Sequence, residues 1–279
     1  MIQDIYPHIY RNEFETTLPT AEDALCIVAA GEILVKEFAD SFELPTCKDF
    51  EKSGSLESAH FLFRVDAKPF FLMRLESKQA FEGYTWVNRK YFRHKKPKHL
   101  AFAAVTAMQL AGWYNANRFC GKCATPMVRD DKERMVKCPN CGQMVYPRLN
   151  PAVIIGIYNG DKLLLTQYKN GPTTNFALVA GFTEIGETFE QTVSREVNEE
   201  VGLKVKNIRY YKSQPWSFTD TLLAGFYCEL DGDSTIKLEQ DELKFGGWFN
   251  RKELEPIENN DLSLTNEMIN YFRDNPDKF

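Results

Sequence analysis

The sequence has no hydrophobic run long enough to span a bilayer, and it begins without the basic region and apolar stretch of a secretory leader. An apolar-rich segment at residues 100–114 is too short to cross a membrane, so it predicts a buried helix. The last three residues, Asp-Lys-Phe, differ from the Ser-Lys-Leu peroxisomal signal. We therefore expect a cytoplasmic protein with no membrane partner.

An excess of basic residues and an internal repeat are also missing. The net charge of -5 argues against a chain that binds nucleic acid generally, and no similarity recurs at a solenoid period. Hydrophobic residues make up 43% and charged residues 26%, as in ordinary globular proteins. A chain of 279 residues can form two domains, with room for a small third module.

Seven cysteines are present, and four of them form two Cys-x-x-Cys pairs that fourteen residues separate: Cys120, Cys123, Cys138 and Cys141. Four thiolates at this spacing are typical of a closed tetrahedral zinc site with a structural role. The alternative, disulfide bonds, requires an oxidising compartment, for which the sequence carries no secretory signal. The other thiols, Cys26, Cys47 and Cys228, are scattered, which fits a reducing cytosol or nucleus.

The segment from 181 to 203 carries an unusual set of acidic residues. Residues 188–201 contain no Gly or Pro and predict a helix, with Gly202 as the left-handed residue after its last turn. Three carboxylates lie three and four positions apart on this helix: Glu196, Glu199 and Glu200. They converge on one side and repel one another unless cations lie between them, and such hard oxygen ligands suit Mg²⁺ or Mn²⁺.

A solvated acidic helix face is the alternative interpretation of this glutamate run. Two features argue against it. Arg195 lies four residues before Glu199 and eight after Glu187, so it can brace carboxylates from the same face. Gly181 and Gly186 bracket a loop that leads into the helix, and glycine allows a backbone carbonyl to approach a metal closely.

The pattern Gly-x5-Glu-x7-Arg-Glu-Val-x-Glu-Glu-x-Gly-Leu, residues 181–203, resembles the Nudix box without departure. This resemblance implies metal-dependent hydrolysis of a nucleoside diphosphate linked to another moiety, with the three helix glutamates as metal ligands and Glu187 orienting Arg195. It also implies that Glu242 is a further catalytic or metal-linked carboxylate. The alternative for Glu242 is a surface carboxylate on a strand.

Residues 213–218, Ser-Gln-Pro-Trp-Ser-Phe, are similar to the motif of the NADH pyrophosphatase branch of that family. The resemblance implies substrate contacts by Gln214, Trp216 and Phe218, whereas aromatic rings packed at a strand edge are the alternative. Departures from the motif are Ser217 and Thr219, where the branch has proline, and Thr221, where it has serine. A zinc ribbon before the Nudix domain also resembles this branch.

The resemblance implies two further aromatic contacts, with Phe182 and Tyr146 sandwiching the adenine and Tyr146 acting across a homodimer interface. As isolated residues both rings would be assigned to core packing.

The predicted fold class is α+β, a Nudix α/β/α sandwich with a mixed sheet. Three parts are expected: a β-rich N-terminal domain with a closing helix over residues 1–115, the zinc ribbon over 116–146, and the Nudix domain over 147–279. Alternating segments at 60–65 and 70–75 predict strands in the first part. Its assignment as a domain depends on position alone.

The expected function is hydrolysis of NAD(H) to AMP and nicotinamide mononucleotide, with catalytic Mg²⁺ or Mn²⁺ and structural Zn²⁺. Removal of NAD caps from RNA is a variant of this chemistry, because residues 89–98 hold six basic and two aromatic residues that could contact phosphates. A solvated linker is the favoured interpretation of that segment. Two different functions compete with this expectation. One is hydrolysis of ADP-ribose or a related nucleoside diphosphate derivative, and the second is nucleotide sensing with little catalysis, against which the intact glutamates argue.

Overall fold

The computed structural model describes residues 1–53, 56–169, 176–256 and 262–279. Two compact units divide the chain. The C-terminal unit comprises Met1, Leu149–Trp216 and Thr221–Phe279, and the N-terminal unit comprises Ile2–Arg148 and Ser217–Asp220. Within the described residues, no helix is both long and apolar enough to cross a membrane.

The N-terminal unit begins with a mixed sheet of seven strands. The strands are β1 Tyr10–Arg11, β2 Ala24–Ala29, β3 Glu32–Glu37, β4 Phe42–Glu43, β5 His60–Val65, β6 Lys68–Arg74 and β7 Thr85–Val87. Their order is β1-β5-β6-β2-β3-β4, with β7 paired to β3. Strands β5 and β6 lie where the alternating pattern predicts them. Every residue of β2 is buried, as expected for a central strand that is apolar throughout.

Helix α1, Lys98–Ala116, follows this sheet and corresponds to the predicted buried helix. It contains no carboxylate, and most of its alanine and aromatic side chains are buried. The ribbon comes next, with three short antiparallel strands in the order β10-β9-β8. Their bounds are β8 Val128–Arg129, β9 Val136–Lys137 and β10 Met144–Val145. Cys120 and Cys123 lie at the turn before β8, and Cys138 and Cys141 lie at the turn between β9 and β10.

The C-terminal unit is a six-stranded mixed sheet covered by two helices. Its elements are β11 Asn150–Asn159, β12 Lys162–Tyr168, β13 Val179–Phe182, α2 Phe189–Val201, β14 Val205–Trp216, β15 Thr221–Leu230, β16 Leu243–Asn250 and α3 Leu264–Asp274. The order is β14-β15-β11-β12-β16, with β13 paired to β11. Strands β11 and β15 are parallel, and the other pairs are antiparallel.

Side-chain alternation along β11 builds both layers of the core. Val153 and Ile155 pack with Val197 of α2, whereas Ile154 packs with Met268 of α3. Successive side chains of a strand point to opposite faces, so one apolar strand serves two helices. Each fully buried side chain of this kind stabilises the fold by roughly 1.5–3 kcal/mol. The α/β/α sandwich predicted from the sequence is confirmed.

Candidate active site

Helix α2 is fixed at both ends, which sets the direction of its glutamates. At the start, the Thr188 side chain accepts a hydrogen bond from the Gln191 backbone N–H at 3.3 Å, and the Gln191 side chain accepts one from the Thr188 N–H at 2.8 Å. At the end, Gly202 adopts the left-handed conformation with φ 67° and donates to the carbonyl of Asn198. Such caps contribute about 1 kcal/mol each.

Arg195 is the centre of the ion-pair network on this helix. Its Nε and Nη2 donate to the two oxygens of Glu187 at 2.6 and 2.9 Å, and its Nη1 donates to Glu196 at 2.7 Å and Glu199 at 2.9 Å. The bidentate bond from Arg195 lowers the pKa of Glu187 to about 2. The Arg195 Nη2 also donates to the Phe182 carbonyl at 2.9 Å. Glu187 therefore orients Arg195, and Arg195 in turn orients Glu196 and Glu199.

The carboxylate of Glu196 lies directly against the backbone of β13. A Cβ added to Gly181 would stand 1.9 Å from Glu196 Cδ and 2.1 Å from its Oε1. Only 12% of the Glu196 side chain is exposed. The first glycine of the predicted motif is therefore required for space, since any other residue would displace a carboxylate.

We expect Gly181→Ala to lower kcat by about a hundredfold, because displacing a catalytic group by about 1 Å lowers the rate by a factor of that size. Thermal unfolding monitored beside steady-state kinetics separates lost geometry from lost folding. Gly121→Ala is the control, because a Cβ there meets no atom within 4 Å. Full activity in Gly181→Ala would contradict the steric role of this glycine.

Glu200 is the most deeply buried carboxylate of the site, with 3% of its surface exposed. Its Oε1 accepts a long bond of 3.4 Å from the Ala180 N–H, and its Oε2 has no hydrogen-bond partner among the described residues. Burial raises the pKa of Glu200 to about 8, with Glu196 and Glu242 adding to the effect. An unpartnered buried carboxylate oxygen is costly, and a cation that it could ligate would remove that cost.

Glu242 approaches the same carboxylates from outside the helix. It precedes β16, and its backbone carbonyl accepts from the Lys169 N–H at 2.8 Å. Its charge contributes to raising the pKa values of both Glu196 and Glu200. The assignment of Glu242 as a catalytic or metal-linked carboxylate stays a prediction.

Tyr168, which the sequence did not single out, lies within electrostatic range of these carboxylates. It is the last residue of β12 and lies opposite Leu243 beside a β-bulge. Burial raises the pKa of Tyr168, and the charges of Glu200, Glu242 and Glu196 raise it further. No sequence pattern distinguishes this tyrosine, because its place depends on the bulge and on the pairing of β12 with β16.

These donors fit a divalent cation that prefers oxygen ligands. They are all carboxylates, they include one buried unpartnered oxygen, and Gly181 keeps space beside Glu196. The predicted convergence of all three helix glutamates is less complete, since Glu199 is bonded to Arg195 and its side chain is 56% exposed. Among the described residues, only the four cysteines form a group whose potential ligand atoms all lie within 4.8 Å.

The cysteine cluster matches the sequence prediction. The Sγ atoms of Cys120 and Cys141 are 3.5 Å apart, as are those of Cys123 and Cys138. Four sulfurs around one Zn²⁺ at roughly 2.3 Å give separations of this order. Cys26, Cys47 and Cys228 are buried elsewhere as free thiols. The ribbon therefore carries a closed four-cysteine zinc site with no position for a substrate.

Gln214 is placed differently from the expected substrate contact. The residue is fully buried, its Nε2 donates to the Leu262 carbonyl at 2.7 Å, and its Oε1 accepts from the Leu264 N–H at 2.7 Å. Both ends of the amide are thus used to hold the start of α3. These two bonds give Gln214 a structural role, and substrate contact by this residue stays a prediction.

The aromatic residues of the same motif fall in different units. Trp216 is half-buried at the end of β14 and pairs with Thr221. Phe218 belongs to the N-terminal unit, where the guanidinium of Arg93 lies 5.2 Å from its ring centroid. Arg89 donates to the Ser217 carbonyl at 2.6 Å. The turn after Trp216 is therefore held by a short helix, Arg89–Arg93, within that unit.

The two rings expected to hold adenine are exposed. Phe182 is 56% exposed, at the end of β13. Tyr146 is 51% exposed, belongs to the N-terminal unit, and donates its hydroxyl to Glu133 at 2.6 Å. Exposed aromatic rings beside polar residues are available to stack on a base. Their assignment to substrate binding stays a prediction.

Comparison with protein families assigns all three parts of the chain. The NUDIX domain model matches residues 148–268, the NADH pyrophosphatase zinc ribbon domain matches 115–146, and the NADH pyrophosphatase-like rudimentary NUDIX domain matches 22–113. The N-terminal sheet is thus similar to a Nudix domain, which the sequence motifs did not indicate.

Two curated relatives are named NAD-capped RNA hydrolase NudC. The protein from Pseudomonas fluorescens is 34% identical over 73% of this chain and 73% of its own length. The protein from Chromobacterium violaceum is 36% identical over 70% of this chain and 73% of its own length. A solved Nudix hydrolase from Nitrosomonas europaea aligns with TM-score 0.47 at 22% identity, covering 56% of this chain and 90% of that one. This chain belongs to the Nudix hydrolase family, in the NADH pyrophosphatase branch that carries a zinc ribbon.

Proposed function

We propose that the protein hydrolyses the pyrophosphate bond of NAD(H) to give AMP and nicotinamide mononucleotide. The observation that carries this proposal is the buried Glu200 oxygen without a partner, beside Glu196 and Glu242, within an intact Nudix box. The relatives named NAD-capped RNA hydrolase support the substrate class. In the reaction the water oxygen bonds to one phosphorus, and the bridging P–O bond breaks.

Glu196, Glu199 and Glu200 are the residues that would hold Mg²⁺ or Mn²⁺, with Glu242 as a further ligand or base. A divalent cation supplies charge neutralisation of the phosphates and activation of water. Glu187 orients Arg195 through a hydrogen bond of 2.6 Å. Arg195 orients Glu196 and Glu199 through hydrogen bonds of 2.7 and 2.9 Å. Because several carboxylates face one another here, each is a candidate to accept the proton of the attacking water.

Substrate selectivity tests this proposal against its alternative. We expect a higher kcat/KM for NADH or NAD⁺ than for ADP-ribose, measured with each substrate under identical metal conditions. A higher value for ADP-ribose would favour the alternative, which the Ser217 and Thr219 departures permit. Absence of hydrolysis for all of them would favour nucleotide sensing.

Replacing Phe182 by Ala should raise the KM for NADH by about tenfold and change kcat less, because stacking of an aromatic ring on a base contributes roughly 1–3 kcal/mol. Ile185→Ala is a matched control, since that side chain is fully exposed in the same loop. Steady-state kinetics of both variants decide the matter. An unchanged KM in Phe182→Ala would remove the ring from the site.

NAD-capped RNA is the second substrate to consider, because residues 89–98, the basic segment, make some contacts within their own unit and also line a cavity. Arg89 and Arg93 contact the turn after Trp216. His94, Lys95 and Lys96, with Asp40 and Tyr91, line a cavity of about 600 Å³. An aromatic ring among lysines suits a single-stranded nucleic acid.

Salt dependence tests that contact. For Lys95→Gln with Lys96→Gln, we expect the negative slope of log(kcat/KM) on NAD-capped RNA against log salt concentration to become less steep by about 1.4. This is the value for two lost phosphate contacts on a single strand. Activity on NADH serves as the control. A flat salt response of the parent protein would exclude engagement of the RNA backbone.

A homodimer in the cytoplasm completes the proposal. Apolar side chains on and beside the ribbon, Phe119, Val128 and Met144, are at least half exposed and would be covered by a second subunit. The three buried free thiols are compatible with a reducing compartment. Sedimentation equilibrium tests the dimer directly.

A further inference from the structure

A second concave site lies wholly within the N-terminal unit. It is a cavity of about 420 Å³ lined by Ala30, Arg74, Leu75, Glu76, Asn115 and Arg118. The residues come from the ends of β2 and β6 and from the end of α1 and the chain that follows it. Its volume lies within the usual range for small-molecule sites. Neither the Nudix box nor the zinc-binding cysteines fall on these residues.

Two guanidinium groups, those of Arg74 and Arg118, line this cavity with one carboxylate, that of Glu76. Partial burial lowers the pKa of Arg74, and the neighbouring guanidinium groups of Arg129 and Arg118 lower it further. Burial lowers the pKa of His60 to about 3, and the charges of Arg129 and Arg74 contribute to that shift. Three arginines on different elements therefore share one region, where their mutual repulsion costs free energy.

Little negative charge lies at the cavity. Glu76 is the one acidic residue among the described residues that line the cavity; its side chain is 83% exposed and lies 3.2 Å from Arg118. Arg74 donates to the Asn115 side-chain oxygen at 2.8 Å and lies 5.4 Å from the Tyr114 ring centroid. Neither contact neutralises its charge. Packing thus explains the position of Arg74 but not the clustering of three guanidinium groups.

We propose that this cavity binds a phosphate group through Arg74 and Arg118, which line it, with the charge of Arg129 nearby. Guanidinium groups bind phosphate with two parallel hydrogen bonds, and a concave positive surface concentrates anions. The Asn115 amide adds a neutral donor at the same place. The phosphate belongs either to a free nucleotide or to the backbone of an RNA chain.

The test uses the full-length zinc-loaded protein without added Mg²⁺ or Mn²⁺, so that binding is measured in the absence of turnover. Arg118→Gln with Arg129→Gln removes two exposed charges and leaves half-buried Arg74 in place. Lys48→Gln with Lys68→Gln removes two exposed charges from the same unit away from the cavity and is the matched control. Thermal unfolding verifies that both double variants fold.

The probes are AMP, followed by titration calorimetry, and a single-stranded RNA decamer with a 5′-hydroxyl, followed by fluorescence anisotropy. We expect the arginine variant to bind at least one probe about tenfold more weakly than the lysine control. Weakened AMP binding identifies a free nucleotide as the source, and weakened binding of RNA alone identifies the backbone. Equal affinities of the two variants for both probes would overturn the proposal.

Discussion

We expect that replacing Glu200 by Gln lowers kcat for NADH by about a thousandfold, because the several kcal/mol of transition-state stabilisation that a bound cation would supply depend on this carboxylate. The amide keeps an oxygen that can accept the Ala180 N–H, so the backbone contact of Glu200 is retained. The substitution replaces a buried carboxyl group, one oxygen of which has no hydrogen-bond partner among the described residues, by a neutral amide. The melting temperature should therefore not fall. Steady-state kinetics and calorimetry on the same preparation measure both effects.

Glu190→Gln is the matched control for this result. Glu190 lies in the first turn of the same helix and is exposed, so the identical chemical change there should leave kcat within about twofold. Two outcomes would contradict the assignment of Glu200: activity close to that of the parent, or an activity loss that follows unfolding in parallel.

We expect that replacing Cys138 by Ser removes zinc from the ribbon and unfolds it. Cys138 is fully buried, and its sulfur accepts from the Cys141 N–H at 3.4 Å. Structural zinc sites contribute on the order of 10 kcal/mol of binding free energy, which becomes folding free energy when the site has no other support. The ribbon has only three two-residue strands, so its sheet cannot replace that contribution. Zinc content should fall from about one ion per chain to a small fraction.

Metal analysis and hydrogen exchange across residues 117–146 measure this result. Cys26→Ala is the control, because Cys26 is also buried in the N-terminal unit but lies outside the four-cysteine group. It should keep stoichiometric zinc and slow exchange in the ribbon. Stoichiometric zinc in Cys138→Ser would contradict the four-thiolate site.

The spacing of the box glutamates predicts their arrangement on α2 well because helix geometry is local. Residues 196, 199 and 200 lie on the same side of any α-helix. Gly202 is the expected residue after the last turn, because glycine adopts the left-handed conformation more easily than other residues. The bracing of Glu187 by Arg195 also follows from spacing along this segment. The different hydrogen-bond partners of these glutamates do not follow from spacing. Arg195 donates to Glu199, whereas Glu200 accepts from the Ala180 N–H in β13.

Long-range pairing accounts for what the sequence did not reveal. Gln214 is suited to a ligand by its residue type alone, yet its partners are 48 and 50 residues away, at the start of α3. Tyr168 lies within electrostatic range of the carboxylates because β12 pairs with β16 beside a bulge. Helix α1 of the N-terminal unit carries no carboxylate, so the relation of that unit to the Nudix fold left no glutamate motif on this helix to detect.

Product analysis after incubation with NADH and Mg²⁺ or Mn²⁺ tests the central claim most directly. The protein and its Glu199→Gln variant are incubated in parallel, and the nucleotides are resolved by chromatography. We expect AMP and reduced nicotinamide mononucleotide in equal amounts from the parent protein, and intact NADH from the variant. Intact NADH with the parent protein, or the same products with the variant, would contradict the proposed hydrolysis.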